Sequence, residues 1–199
     1  MASRSPEPVK IIACGAIARE IIAILARNGL NHISLTCLPA KLHNRPQAIP
    51  AAVEAEILEA RQQGAGSVFV AYADCGTGGL LDDVCARHGV ERIAGPHCYS
   101  FFSGNDRFAA WGEENMQTFF LTDFLARQFD AFVVRPLGLD RYPQLRNDYF
   151  GNYRKLVFLA QSADPELDDK AREAADFLGL AYERRFTGMG DLEEAVSSL

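Results

Sequence analysis

Five cysteines and four histidines carry most of the reactive chemistry in this chain of 199 residues. Four of the thiols follow a pattern. Cys14, Cys37, Cys75 and Cys98 each fall at or just past the end of a short apolar run: VKIIAC, HISLTCL, SVFVAYADC and ERIAGPHC. If these runs are parallel strands, their carboxyl ends share one edge of a sheet, and ligand crevices form outside such edges. Residues far apart in sequence then converge. His43, shortly after the second run, and His97, beside Cys98, belong to the same set of loops. A single thiol at a strand end is ordinarily a packing residue. Three or more of them on one edge with two imidazoles point instead to a functional cluster.

Thiolate and imidazole are ligands of zinc, and thiolates hold iron–sulfur clusters, so Cys14, Cys75 and Cys98 with His43 or His97 suit either. No C-x2-C pair is present, as a structural zinc site would normally show. A site assembled from separate loops therefore reads as catalytic, with an open coordination position. The expected metal set is Cys14, Cys75, His97 and Cys98, with Asp74 and His43 as the acid–base groups. Cys37, next to the strand body, is ranked as a packing residue. Cys85 and His88 are three apart and could share a helix face, but Cys85 falls on the apolar stripe with Leu81 and Val84 and is left out.

The loop Asp74-Cys75-Gly76-Thr77-Gly78-Gly79 admits a second chemistry. A strand ending in an acidic residue and a glycine loop resembles the first motif of S-adenosylmethionine-dependent methyltransferases. Helix N-termini also attract anions, so Gly76, Thr77, Gly78 and Gly79 are the candidate cofactor-binding residues. Against the methyltransferase reading, the following strand ends in Ile93-Ala94-Gly95-Pro96-His97, without the acidic residue that would hold ribose hydroxyls.

The elements that must position these groups can be read from periodicity. Residues 9–14 are a strand, followed by a helix carrying Ile17, Ile21, Ile24 and Leu25 up to the cap signal Asn28-Gly29. Residues 32–38 are a second strand and 49–63 a second helix. Residues 67–73 form a third strand, 80–88 a third helix, and 91–94 a short fourth strand. Strands alternating with helices imply parallel pairing through right-handed crossovers. The stretch 99–152 is rich in Phe and Tyr, holds the sole tryptophan, Trp111, and is expected to be mostly helical, most clearly over 113–128. Its first aromatics, Tyr99, Phe101 and Phe102, could wall off a dry pocket. Residues 155–160 are again a strand, Asp164-Pro165 starts a helix, 180–186 is a last strand and 191–199 a short helix. The fold class expected is α/β: a mainly parallel, Rossmann-like sheet with flanking helices and an aromatic-rich helical insertion over 99–152 within one domain, 1–199.

Composition bounds the partners. With 20 Lys and Arg against 26 Asp and Glu, the formal charge is -6, which argues against nucleic acid. No apolar run approaches a membrane span, and residues 1–10 are polar and lack a signal-peptide core, so a cytoplasmic protein with reduced thiols is expected.

The strings ACGAIARE (13–20), LPAKLHNRP (38–46), DCGTGG (74–79), GPHCYSFFSG (95–104), LTDFLARQFD (121–130), LGLDRYPQLRNDYFGNY (137–153) and VFLAQ (157–161) together resemble the bacterial and archaeal family catalogued as domain of unknown function 1638. The resemblance implies that Cys14, His43, Cys75, His97 and Cys98 sit in family motif strings. It also implies a genomic setting beside corrinoid proteins and corrinoid-dependent methyltransferases, hence one-carbon metabolism. The expected protein binds zinc or an iron–sulfur cluster and serves corrinoid-linked methyl transfer. Its partners would be a small-molecule substrate or methyl carrier and a corrinoid protein, with a homo-oligomer open. Whether it turns over, as a metal-dependent transferase or lyase, or only delivers a metal or cofactor, stays open at this point.

Overall fold

A computed structural model of the chain describes residues 7–199; residues 1–6, part of the polar N-terminal stretch, lie outside it. In chain order the elements are β1 (Val9–Cys14), α1 (Ala18–Asn28), β2 (Ile33–Leu38), α2 (Ile49–Gln62), β3 (Ser67–Ala71), α3 (Leu80–His88) and β4 (Glu91–Arg92). Then follow α4 (Cys98–Ser103), α5 (Asn105–Ala110), β5 (Thr118–Leu121), α6 (Asp123–Arg127), α7 (Leu145–Phe150), β6 (Lys155–Ala160), α8 (Pro165–Leu178), β7 (Ala181–Phe186) and α9 (Asp191–Ser197). The described residues group into two compact units, 7–101 with 191–199, and 102–190.

The first unit is built on a sheet of order β2-β1-β3-β4, every pair parallel. Ile11, Ile12 and Ala13 of the central strand β1 are fully buried, as a strand covered on both faces requires. The helices supply the covering with apolar residues one turn apart. α1 buries Ile21 and Ile24, and α2 buries Ile49, Val53, Ile57 and Ala60. Burying each of these Ile and Val side chains contributes about 1.5–3 kcal/mol. Gly29 ends α1 and Gly89 ends α3, both left-handed at φ 64° and 56°, where a Cβ would be strained. α9 packs along α1, with Arg27 donating to Glu193 at 2.6 Å.

Chain order and sheet order together locate a crevice. The chain passes from β1 to β2 on one side and then crosses back to β3 on the other, so the loops leaving β1 and β3 diverge at a switch point between neighbouring strands. That gap is where side chains from separate loops can meet without a covering element.

The second unit has the order β5-β6-β7, also all parallel. Its core sets Leu156, Phe158 and Ala160 of β6 with Leu167, Ala171, Ala174, Ala175 and Leu178 of α8. Asp164 caps α8 by accepting from Glu166 N at 3.0 Å, with Pro165 at the first turn, as the sequence signal indicates.

Residues 113–128 correct the expectation of a continuous helix. Thr118–Leu121 is a strand, preceded by a 3-10 turn over Gly112–Gln117 and followed by the short α6. The run Thr-Phe-Phe-Leu suits a pleated buried surface better than a helix, and pairing with β6 decides it. The expected fourth strand over 91–94 shrinks to Glu91–Arg92.

A polar clasp ties β5 to β6. Asp123, 1% exposed, accepts from Gln161 N at 3.0 Å and from Ser162 Oγ at 2.5 Å, and its own N–H donates to Gln161 Oε1 at 2.8 Å. Asp123→Ala leaves the buried Gln161 N–H without its acceptor and should destabilise this unit by about 3 kcal/mol, read as a lowered denaturant midpoint. Loss below about 0.5 kcal/mol would show that the clasp is not holding the strand ends.

Candidate functional site

Four loops leave the carboxyl edge of the first sheet, and each brings one donor to the switch point. Cys14 is the last residue of β1, 4% exposed, and its sulfur caps the following turn by accepting from Ala16 N at 3.4 Å. Gly15 lets the next strand's loop come close, since a Cβ there would stand 3.0 Å from Leu38 O. Past β2 a 3-10 turn over Ala40–Asn44 folds His43 back to the edge, with Nδ1 3.2 Å from Ala40 O and 3.6 Å from Cys14 Sγ. Past β3 and β4 the two loops are stitched together: Asp74 N donates to Gly95 O at 3.0 Å and Cys75 N to Pro96 O at 2.8 Å. Cys98 follows two residues later, at the start of α4.

Cys14, His43, Cys75 and Cys98 line one cavity, with Tyr72 and Phe101 among its walls. It is small, with room for no more than a single water or ion. Among the described residues no three His, Cys, Asp or Glu side chains are already set to hold a metal ion. For these donors to hold an ion they would have to stand closer together than they do here.

The thiols are kept neutral. Burial pushes Cys14 up from 9.0 to about 11. Burial, then the neighbouring Cys14 and the Asp74 charge, push Cys75 up to about 12. Burial, reinforced by Cys75 and Cys14, pushes Cys98 up as well. Burial lowers His43, so its imidazole is neutral near pH 7. Ala40 O can only accept, so the tautomer that satisfies it carries the proton on Nδ1 and leaves the Nε2 lone pair for another partner.

Asp74 is occupied elsewhere. Its carboxylate accepts from Gly79 N at 2.9 Å, Thr77 Oγ1 at 2.7 Å, Gly78 N at 3.3 Å and Gly76 N at 3.1 Å. The Gly79 N–H foremost, then Thr77 and the other two amides, hold its carboxyl below the usual range. A carboxylate so stabilised is a poor base, and Asp74 reads as the organiser of its loop rather than as an acid–base group. The amides of Gly76, Gly78 and Gly79, expected to cradle a cofactor, are turned onto this internal anion. Gly76, Gly78 and Gly79 take φ of 83°, 64° and 88° to do so, and Cys75 itself sits at φ 51°, the one non-glycine with positive φ among the described residues.

The imidazole of the cavity is that of His43. His97 is placed apart from its lining, with its ring packed on Tyr99 at 5.3 Å between centroids. Cys37 is exposed, not a packing residue, because β2 is an edge strand. Cys85 is buried on α3 with Leu81 and Val84, as its spacing indicates. Tyr72 is the group the sequence reading passed over. The signal available was a phenol within the otherwise apolar run VFVAYA.

The first unit is thus an α/β layer whose switch-point cavity is lined by three thiols and an imidazole. Residues 37–196 match the family model described as Protein of unknown function (DUF1638), and the chain belongs to that family. The matched range takes in His43, Cys75 and Cys98 and begins beyond Cys14. No curated protein and no solved structure matches the chain.

Two outcomes follow from the thiols and their loop. Cys75→Gly should be more stable than Cys75→Ala by about 1 kcal/mol, because glycine accepts the left-handed backbone. Equal stability, or the ordinary order with alanine ahead, would count against strain at this position. The raised thiols hold their protons more tightly folded than unfolded, so their contribution is complete below pH 9 and disappears as pH rises through about 11 and 12. Denaturant midpoints measured from pH 8 to 12 should fall less steeply for Cys14→Ala than for the wild type, by on the order of 3 kcal/mol over the range. Parallel curves would mean that Cys14 titrates normally.

Proposed function

We propose that this chain is a metal-binding protein in which Cys14, Cys75, Cys98 and His43 hold one thiophilic ion, zinc foremost, and that it serves corrinoid-linked one-carbon metabolism. The observation that carries the reading is the convergence of these four donors, from four separate loops, on one cavity. Three thiols packed together with little water keep their protons because burial disfavours the anion, and at Cys75 and Cys98 neighbouring thiolates would add repulsion. A divalent cation removes that obstacle and is the partner such a set is suited to. The size of the cavity favours a single ion over an iron–sulfur cluster, which would need the walls to part. The imidazole of the set is assigned to His43, in place of His97, because His43 and not His97 lines the cavity with the three thiols.

A bound ion of this kind supplies Lewis acidity toward a small substrate or methyl carrier. The chain's own residues do the rest: Asp74 braces the loop of Cys75, Ala40 O orients His43, and Phe101 helps keep water from the donors. The one-carbon setting, a corrinoid protein as partner and a cytoplasmic location rest on the family resemblance and on composition. Among the described residues no helix is long and apolar enough to cross a membrane.

Protein purified without oxygen should carry about one zinc per chain, measured by elemental analysis, and Cys75→Ala or Cys98→Ala should remove most of it. Cys85→Ala should leave the content unchanged, since its thiol is packed in α3. A folded wild type that takes up no zinc after incubation with the ion would refute the reading, and a visible thiolate-to-iron absorption would redirect it to a cluster.

A further inference from the structure

Tyr72 is 1% exposed and stands on the wall of the thiol cavity, just past the end of β3. Its hydroxyl is buried beside the Cys14 thiol, without a hydrogen bond of ordinary length and angle to any described protein group. Leaving a hydroxyl so is unfavourable, and phenylalanine would fill the same space without that cost. The phenol is therefore a group whose neighbouring acceptor becomes a strong one only when something else arrives. Its polar neighbours identify the partner: the thiol of Cys14 foremost, then that of Cys75. A protonated thiol is a weak acceptor, whereas a sulfur bound to a cation is an anionic one that a nearby O–H stabilises.

We propose that Tyr72 is a positioning residue for the metal centre, its hydroxyl donating a hydrogen bond to the Cys14 sulfur once that sulfur is bound to an ion. The inference rests on the metal-binding reading and adds to it. The bond fixes the rotamer of Cys14, the strand-end ligand, and draws electron density from its sulfur, so it tunes the ion as well as helping to hold it. The arrangement also accounts for a tyrosine inside a run that otherwise reads as plain core. The unfavourable hydroxyl of the metal-free protein becomes favourable in the metal-bound one. Folding stability without metal and affinity for metal therefore pull in opposite directions at this position. A residue that only filled space would show no such opposition.

The test is a titration of the 199-residue chain with cobalt(II) as the probe, without oxygen, on wild type, Tyr72→Phe, Cys14→Ala and the double variant. Urea unfolding of the metal-free proteins runs alongside. Metal-free Tyr72→Phe should be as stable as the wild type or more so. It should bind cobalt about tenfold or more weakly, with a shifted thiolate-to-cobalt absorption band. In the Cys14→Ala background the same change should have no further effect on affinity. Equal affinity and an unshifted band in Tyr72→Phe would overturn the assignment while the metal reading stands. A metal-free Tyr72→Phe that is destabilised or unfolded would also overturn it, by showing that cavity water already satisfies the hydroxyl. A wild type that binds no cobalt would overturn both.

Discussion

The in-register parallel pairing of β1 with β2 on one side and β3 on the other is the constraint on which everything at the site depends. Val9 to Cys14 pairs with Ile33 to Leu38, and Val9 to Ala13 with Ser67 to Ala71, so the three strands end at nearly the same height. A slip of one residue in β1 would carry Cys14 to the other face of the sheet. The loops leaving β1 and β3 then separate in opposite directions, and the cavity is the gap they leave. Backbone hydrogen bonding thus does the first part of the positioning, before any side chain of the site interacts with another.

The second part is done by one carboxylate. Asp74 gathers the amides of Gly76, Gly78 and Gly79 and the hydroxyl of Thr77 onto itself, and in doing so bends the loop so sharply that Cys75 is forced into the left-handed region. An external phosphate or carboxylate at that loop would have to compete with a covalently tethered one. The glycines serve the turn and the thiol beside it, and this is the reason the methyltransferase-like reading of the motif loses its footing. The strain at Cys75 is balanced by those hydrogen bonds and by the bonds that lock the loop to Gly95 and Pro96.

Electrostatics make the site conditional. Buried thiols with raised pKa values are inert packing groups so long as nothing positive enters. Under the proposed metal-binding reading the same burial would make them a strong anionic set, because little water would remain to screen the attraction to a cation. The imidazole of His43, engaged through Nδ1 by Ala40 O with Nε2 left over, and the phenol of Tyr72 beside the Cys14 thiol both fit the proposed metal-bound state.

Much of the fold was legible because it is local. Apolar runs bounded by glycine, the Asn28-Gly29 and His88-Gly89 stops, and Asp164-Pro165 each specify an element by backbone chemistry that neighbours in sequence suffice to express. The convergence of Cys14, Cys75 and Cys98 was legible too, since parallel strands leave no choice about which edge carries their ends. Three things were decided only by tertiary structure. Thr118–Leu121 became a strand because β6 offered it an edge, a long-range pairing that local propensity does not contain. Asp74 was turned inward by three glycine amides whose directions depend on the folded loop. His43 rather than His97 joined the thiols because a short turn after β2 swings it back, while the ring of His97 lies against Tyr99. Composition and spacing carry residue type and strand end; the direction in which a side chain leaves a loop is set by packing between segments distant in the chain.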